Sequence, residues 1–113
     1  MSMTERQRKL ALNESMFREV NERLEELNQT FAAFTGEFDV ICECSDSQCA
    51  ERLRLAPDMY ETVRADPTLF IVVPGHVSSD VEDKTAEALG YEIVRKREGE
   101  PAQIARATDP RGD

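Results

Sequence analysis

The chain has 113 residues, with 23 acidic against 14 basic side chains and a net charge of −9. That surplus opposes non-specific binding to nucleic acid or to an anionic membrane, both of which need positive charge. The length fits one domain, and no apolar run reaches the roughly 18 residues of a membrane-crossing helix.

The first 35 residues read as one long helix. Thr4-Glu5-Arg6-Gln7 fits a capping box, in which threonine and glutamine satisfy each other's backbone donors. No Gly or Pro follows until Gly36, a natural stop after Thr35. Leu10, Phe17, Leu24 and Phe31 form one apolar row, and Val20, Leu27 and Phe34 a second, with Asn13 in the remaining seam position. These are the two core positions of successive heptads. Such a helix would be about 46 Å long at ~1.5 Å per residue. It overshoots a body of about 60 residues, whose radius of gyration is near ~10 Å. The expectation is therefore a break at Asn13-Glu14-Ser15, or a seam shared with a second copy or partner protein, or a cover over the chain's own sheet from residue 16 onward.

Next, Glu37 to Cys44 reads as a strand, with Phe38, Val40, Cys42 and Cys44 on one face and Glu43 on the other. The loop Ser45-Asp46-Ser47-Gln48 is rich in turn formers and brings Cys49 back toward them. Glu51 to Leu55 alternates as a second strand, and Pro57 to Ala65 reads as a helix facing Met59, Tyr60 and Val63 inward. Leu69 to Val73 is a continuous apolar run, expected as a central strand, and Pro74-Gly75-His76 follows. Ser79-Asp80-Val81-Glu82 reads as another capping box, opening a helix through Ala86 and Leu89 to Gly90. Tyr91 to Lys96 is a last strand, and Ala102 to Ala107 one or two helical turns. Tyr60 and Tyr91 are expected in the core with hydroxyls at its rim. Arg52, Arg54, Arg64 and Arg95-Lys96-Arg97 read as a solvated face. The closing Arg111-Gly112-Asp113 matches an adhesion tripeptide by chance.

The expected fold class is α+β: a long N-terminal helix, a small, mostly antiparallel sheet of about four strands, and two short helices. Residues 1–35 form the helix and possible dimerisation segment, 36–97 a compact domain, and 98–113 a short helix with a disordered tail.

The chemistry concentrates in Cys42, Cys44, Cys49 and His76. All three cysteines fall within eight residues, and the single histidine follows at the end of an apolar run. Three thiols and one imidazole make a complete tetrahedral zinc set. Asp46 or Glu43 could replace His76 as the fourth ligand. The competing readings are three unliganded buried thiols, a disulfide with one thiol left over, an iron–sulfur cluster, and thiol redox chemistry. The opening residues do not resemble an export signal, so a reducing cytoplasm is expected, which disfavours a stable disulfide. A compact unit of about 60 residues is also marginal without a metal or crosslink.

Asn13-Glu14, Asn21-Glu22-Arg23, Cys42-x-Cys44-x4-Cys49, Tyr60-Glu61-x-Val63-Arg64-x-Asp66-Pro67, Phe70-x-Val72-x-Pro74-Gly75-His76 and Tyr91-Glu92-Ile93-Val94-x-Lys96 together span about residues 13 to 97. This combination resembles a family of small uncharacterised bacterial proteins. The resemblance implies that these elements act as one unit and that the cysteine cluster matters; it implies no reaction.

The leading expectation is a cytoplasmic zinc-binding regulatory or protein-interaction module, with Zn2+ structural and the helix as partner surface. The alternative is a thiol redox sensor that releases zinc on oxidation. A hydrolase using three ligands and a metal-bound water, with Glu43 or Glu51 as base, would need an open coordination position and a cleft. No catalytic residue is assigned, and the balance is against an enzyme.

Overall fold

The computed structural model describes residues 4–46, 48–88 and 90–111, without the side chains of Arg6 and residues 27–35. The elements are α1 (Glu5–Thr35), β1 (Phe38–Ile41), β2 (Arg52–Leu55), α2 (Pro57–Arg64), β3 (Leu69–Val72), β4 (Glu82–Ala88), β5 (Tyr91–Lys96) and α3 (Glu100–Ala107). The class is α+β. Instead of one sheet of about four strands, β1 and β2 form a two-stranded sheet, and β3, β5 and β4, in that order, form a three-stranded one. All pairings are antiparallel.

Helix α1 starts as its sequence dictates: Gln7 N–H donates to Thr4 Oγ1 at 3.1 Å and Thr4 N–H to Gln7 Oε1 at 3.0 Å. It does not break at Asn13 and runs on to Gly36, whose φ of 78° suits glycine. Its side toward the body differs from the expected apolar seam. The buried residues are Ala11, Glu14, Ser15, Arg18, Asn21, Glu22 and Glu25. Leu10, Phe17 and Leu24 are only half-buried, and Val20 is exposed. Leu27, Phe31 and Phe34 of the expected seam lie outside the described side chains.

A polar helix face is tolerated inside because its charged side chains find hydrogen-bond partners, although Glu14 Oε2 and Arg18 Nε are left without one among the described residues. Arg18 donates to the Pro67 carbonyl at 2.6 Å and the Ala105 carbonyl at 2.8 Å. Its guanidinium lies 4.4 Å from the Phe70 ring centroid. Lys96 donates to Glu14 and, at 2.8 Å, to Glu82, with all three side chains buried. Burial, then a hydrogen bond with Glu82, pushes the Glu14 carboxyl well above the usual carboxylate range.

The apolar core has two main parts. Phe38, Val40, Leu53, Leu55, Tyr60 and Ile71 form one, and Cys42, Cys44, Phe70, Val72, Val94 and Ala105 the other. The alternation read in β1 and β2 holds: Phe38 pairs with Leu55 and Val40 with Leu53, with Arg52 and Arg54 outside. Pro57 opens α2, and Tyr60 and Val63 are buried, but Met59 is exposed. The Tyr60 hydroxyl is buried rather than at the rim, whereas Tyr91 is half-buried.

The expected helix from Ser79 to Gly90 is instead strand β4. A turn does form where the capping box was read, with Val81 N–H bonded to the Ser78 carbonyl and Ser78 N–H to Glu82 Oε2. The buried Lys96 then holds Glu82 on β5, and the chain continues extended along that strand. Gly90, read as a helix stop, has a φ of 96°. A tight hairpin needs the same positive φ, so its glycine fits both structures. Leu89, part of the expected helix, lies outside the described residues, as do Ser47, Gly112 and Asp113.

The expected solvated basic face holds for Arg52, Arg54, Arg95 and Arg97, which are exposed, and fails for two residues. Arg64 and Lys96 are buried, Arg95 pairs with Asp66 at 2.8 Å, and Arg97 with Asp83 at 3.0 Å. At the tail, Arg111 pairs with Glu22 at 2.7 Å and Glu61 at 2.5 Å, closing over α1 and α2.

Candidate metal centre

Immediately after β1 the chain stays extended and crosses between the two sheets. Cys42 N–H donates to the Glu51 carbonyl and Glu43 N–H to the Ile71 carbonyl, each at 2.9 Å. Alternation places Cys42 and Cys44 against Phe70, Val72 and Val94. Cys49 returns through a turn anchored by Asp46, whose carbonyl accepts from Cys49 N–H at 3.0 Å and whose Oδ1 accepts from Gln48 N–H at 2.9 Å.

His76 arrives through Val73-Pro74-Gly75-His76. Its N–H donates to the Val73 carbonyl at 3.0 Å, and Gly75 has a φ of 89°. A type II turn requires the positive φ at its third position and commonly carries proline at its second, as here. A Cβ on Gly75 would meet no atom within 4 Å, so it is this φ, not space, that calls for glycine there.

The ligand atoms of Cys42, Cys44, Cys49 and His76 all lie within 4.8 Å of one another. His76 Nδ1 is 3.6 Å from Cys42 Sγ and 3.7 Å from Cys49 Sγ. Bonds of about 2.3 Å to sulfur and 2.0 Å to nitrogen in a tetrahedron put sulfur and nitrogen about 3.5 Å apart. The donor set and spacing therefore suit a metal ion.

The surroundings orient His76 and favour the thiolate at Cys44, though not at Cys42 or Cys49. His76 Nε2 is 2.9 Å from Glu51 Oε2; a neutral ring that donates there would present a bare Nδ1 to the ion. Val73 N–H donates to Cys42 Sγ at 3.2 Å. A hydrogen bond from Cys42 lowers the Cys44 thiol to about 5, and the same bond, with burial, raises Cys42. Burial also raises Cys49.

The two carboxylates weighed as alternative ligands are engaged elsewhere. Asp46 holds its own turn. Glu43 points from the cluster into a buried socket, where it accepts from Arg64 at 2.9 Å, Ile71 N–H at 3.0 Å and Asn21 at 2.8 Å. That placement also removes Glu43 as a base for a metal-bound water, and Glu51 is committed to His76.

Sequence reasoning missed the roles of Asn21, Arg64 and Val73. The Asn21 amide donates to the Ile41 carbonyl and accepts from Ile41 N–H, both at 2.8 Å, as a neighbouring strand would. Asn13 donates to the Ser45 carbonyl at 3.2 Å in the cysteine loop. No local pattern signals these contacts, because each depends on where α1 docks. An open cleft of about 270 Å³, lined by Cys44, Ser45, Asp46, Gly75, His76, Val77 and Ser78, adjoins the cluster.

The fold and site together define an α+β domain with a long N-terminal helix and a Cys3His cluster between its sheets. No protein-family model, curated protein or solved structure matches the chain. Among the described residues no helix is long and apolar enough to cross a membrane.

Proposed function

We propose that the protein is a zinc-stapled regulatory or interaction module of the cytoplasm, in which Cys42, Cys44, Cys49 and His76 hold Zn2+ and α1 presents the partner surface. The observation that carries this reading is the convergence of three sulfurs and a Glu51-backed imidazole within 4.8 Å of one another. Four protein ligands leave no open coordination position, which makes the ion structural. It ties the strand after β1, the Cys49 loop and the turn after β3 together, and its binding free energy adds to folding. Elemental analysis and native mass spectrometry of freshly isolated, never-chelated full-length protein test this. One zinc per chain is expected; an intact fold with no bound ion overturns it.

A second reading, a thiol redox sensor, is favoured by the partial exposure of Cys49 and the open cleft beside Cys44. A peroxide would oxidise one thiolate to a sulfenic acid, releasing water. A neighbouring cysteine would then displace the sulfenic oxygen as a second water, forming a disulfide and freeing the ion. Stoichiometric peroxide at neutral pH separates the readings: zinc release supports the sensor and retention sinks it.

A further inference from the structure

Over its described side chains, helix α1 is amphipathic in the reverse of the usual sense. Its buried side carries Glu14, Arg18, Asn21, Glu22 and Glu25, while Leu12, Met16 and Val20 are 50%, 53% and 40% exposed. These three are four residues apart and form one row on the helix surface. Leu12 and Met16 lie opposite the side that meets the body, whereas Val20 borders a groove of about 420 Å³ that it shares with Phe38, Val40, Arg52 and Arg54 of β1 and β2, so a second helix can approach over Leu12 and Met16. An apolar row on the outside of a helix whose inner side is already packed on the body marks an interaction surface.

The charges along that row point to its occupant. Glu5, Lys9, Glu19 and Arg23 flank Leu12 and Met16, and all four are exposed. A second α1 laid parallel and in register would face Lys9 with Lys9 and Arg23 with Arg23. Laid antiparallel, with Leu12 against the partner's Met16, it faces Glu5 with the partner's Arg23 and Lys9 with the partner's Glu19. The two-fold axis then repeats every contact. We infer that the occupant is a second copy of this chain, bound through an antiparallel α1–α1 contact centred on Leu12 and Met16. This rests on the reading of α1 as the partner surface and is independent of the metal.

Native mass spectrometry and sedimentation velocity of the full-length protein count subunits and metal in the same preparation. Two subunits per particle are expected. Met16→Glu places a charge on the row without touching the body and should give monomers with unchanged metal content. Arg23→Glu should weaken the dimer about tenfold, because two attractive contacts become repulsive by symmetry. Adding Glu5→Arg to Arg23→Glu should restore it. A wild-type monomer at roughly 100 µM, a dimer that survives Met16→Glu, or a charge swap that fails to restore association overturns the proposal. A metal-loaded monomer defeats the dimer alone; a metal-free dimer defeats the zinc staple alone.

Discussion

Glu43 Oε2 accepts a hydrogen bond from Asn21 Nδ2 at 2.8 Å, and this contact joins the cysteine loop to α1. The same carboxylate faces Arg64, so the segment bearing Cys42 and Cys44 is fixed to α2 as well. The partners of the Glu43 carboxylate are donors: a guanidinium, a carboxamide and the Ile71 N–H.

Glu43→Gln should therefore be far from conservative. The amide keeps one acceptor and turns an NH2 toward donors, and Arg64 loses its charge partner in the interior. Removing one member of a buried pair costs about 3–5 kcal/mol. Chemical denaturation should show a loss of that size. A variant as stable as the parent would mean that the socket is not closed to water.

Cys44→Ser removes one proposed ligand and the sulfur that favours its thiolate most. Bound zinc should be lost, and the melting temperature should fall to that of chelator-treated parent. If the serine variant melts with the untreated parent, the ion is not what staples the domain.

Glu51→Gln leaves all four ligands in place but weakens the hold on the His76 ring. Loss of such an outer partner typically weakens metal affinity about 10–100-fold. Competition against a chromogenic chelator reads this directly. An unchanged affinity would show that the Val73–His76 turn alone orients the imidazole.

What was legible in the sequence is local. The capping box at Thr4, the alternation of Phe38 and Val40 against Asp39, Pro57 at a helix start and the clustering of cysteines each depend on neighbours in the chain. The Ser79–Gly90 segment misled because a turn followed by a positive-φ glycine serves a helix and a hairpin equally. The choice was made at a distance, by Lys96 holding Glu82. Helix α1 misled for a related reason: its leucines and phenylalanines suggested the buried side, but Glu14, Arg18 and Asn21 have partners on β5, α3 and β1 that no periodicity reveals.

The Glu14–Lys96–Glu82 cluster gives a contrast between two substitutions. Burial favours the neutral form of Glu14, so Glu14→Gln imitates that form and should cost under about 1 kcal/mol at neutral pH. Lys96→Met leaves Glu82 in the interior without its cation and should cost about 3–5 kcal/mol. Equal losses in paired denaturation curves would mean that Glu14 carries its charge in the folded protein.

The acidic group around Arg111 makes stability depend on pH in a predictable direction. Burial, then a hydrogen bond with Glu61, raises Glu25 to about 7, whereas hydrogen bonds from Arg111 lower Glu61 to about 2. Both start near about 4.3 when unfolded. The Glu61 contribution is present above that value and is lost as pH falls toward 2. The Glu25 contribution has the opposite sign: it is complete below the unfolded value and is lost as pH rises through 7. Glu25→Gln removes this second titration. The variant should match the parent near about pH 4 and become the more stable of the two by about pH 8. Thermal melts across that interval check it; identical pH slopes for the two proteins would show that Glu25 ionises freely in the folded state.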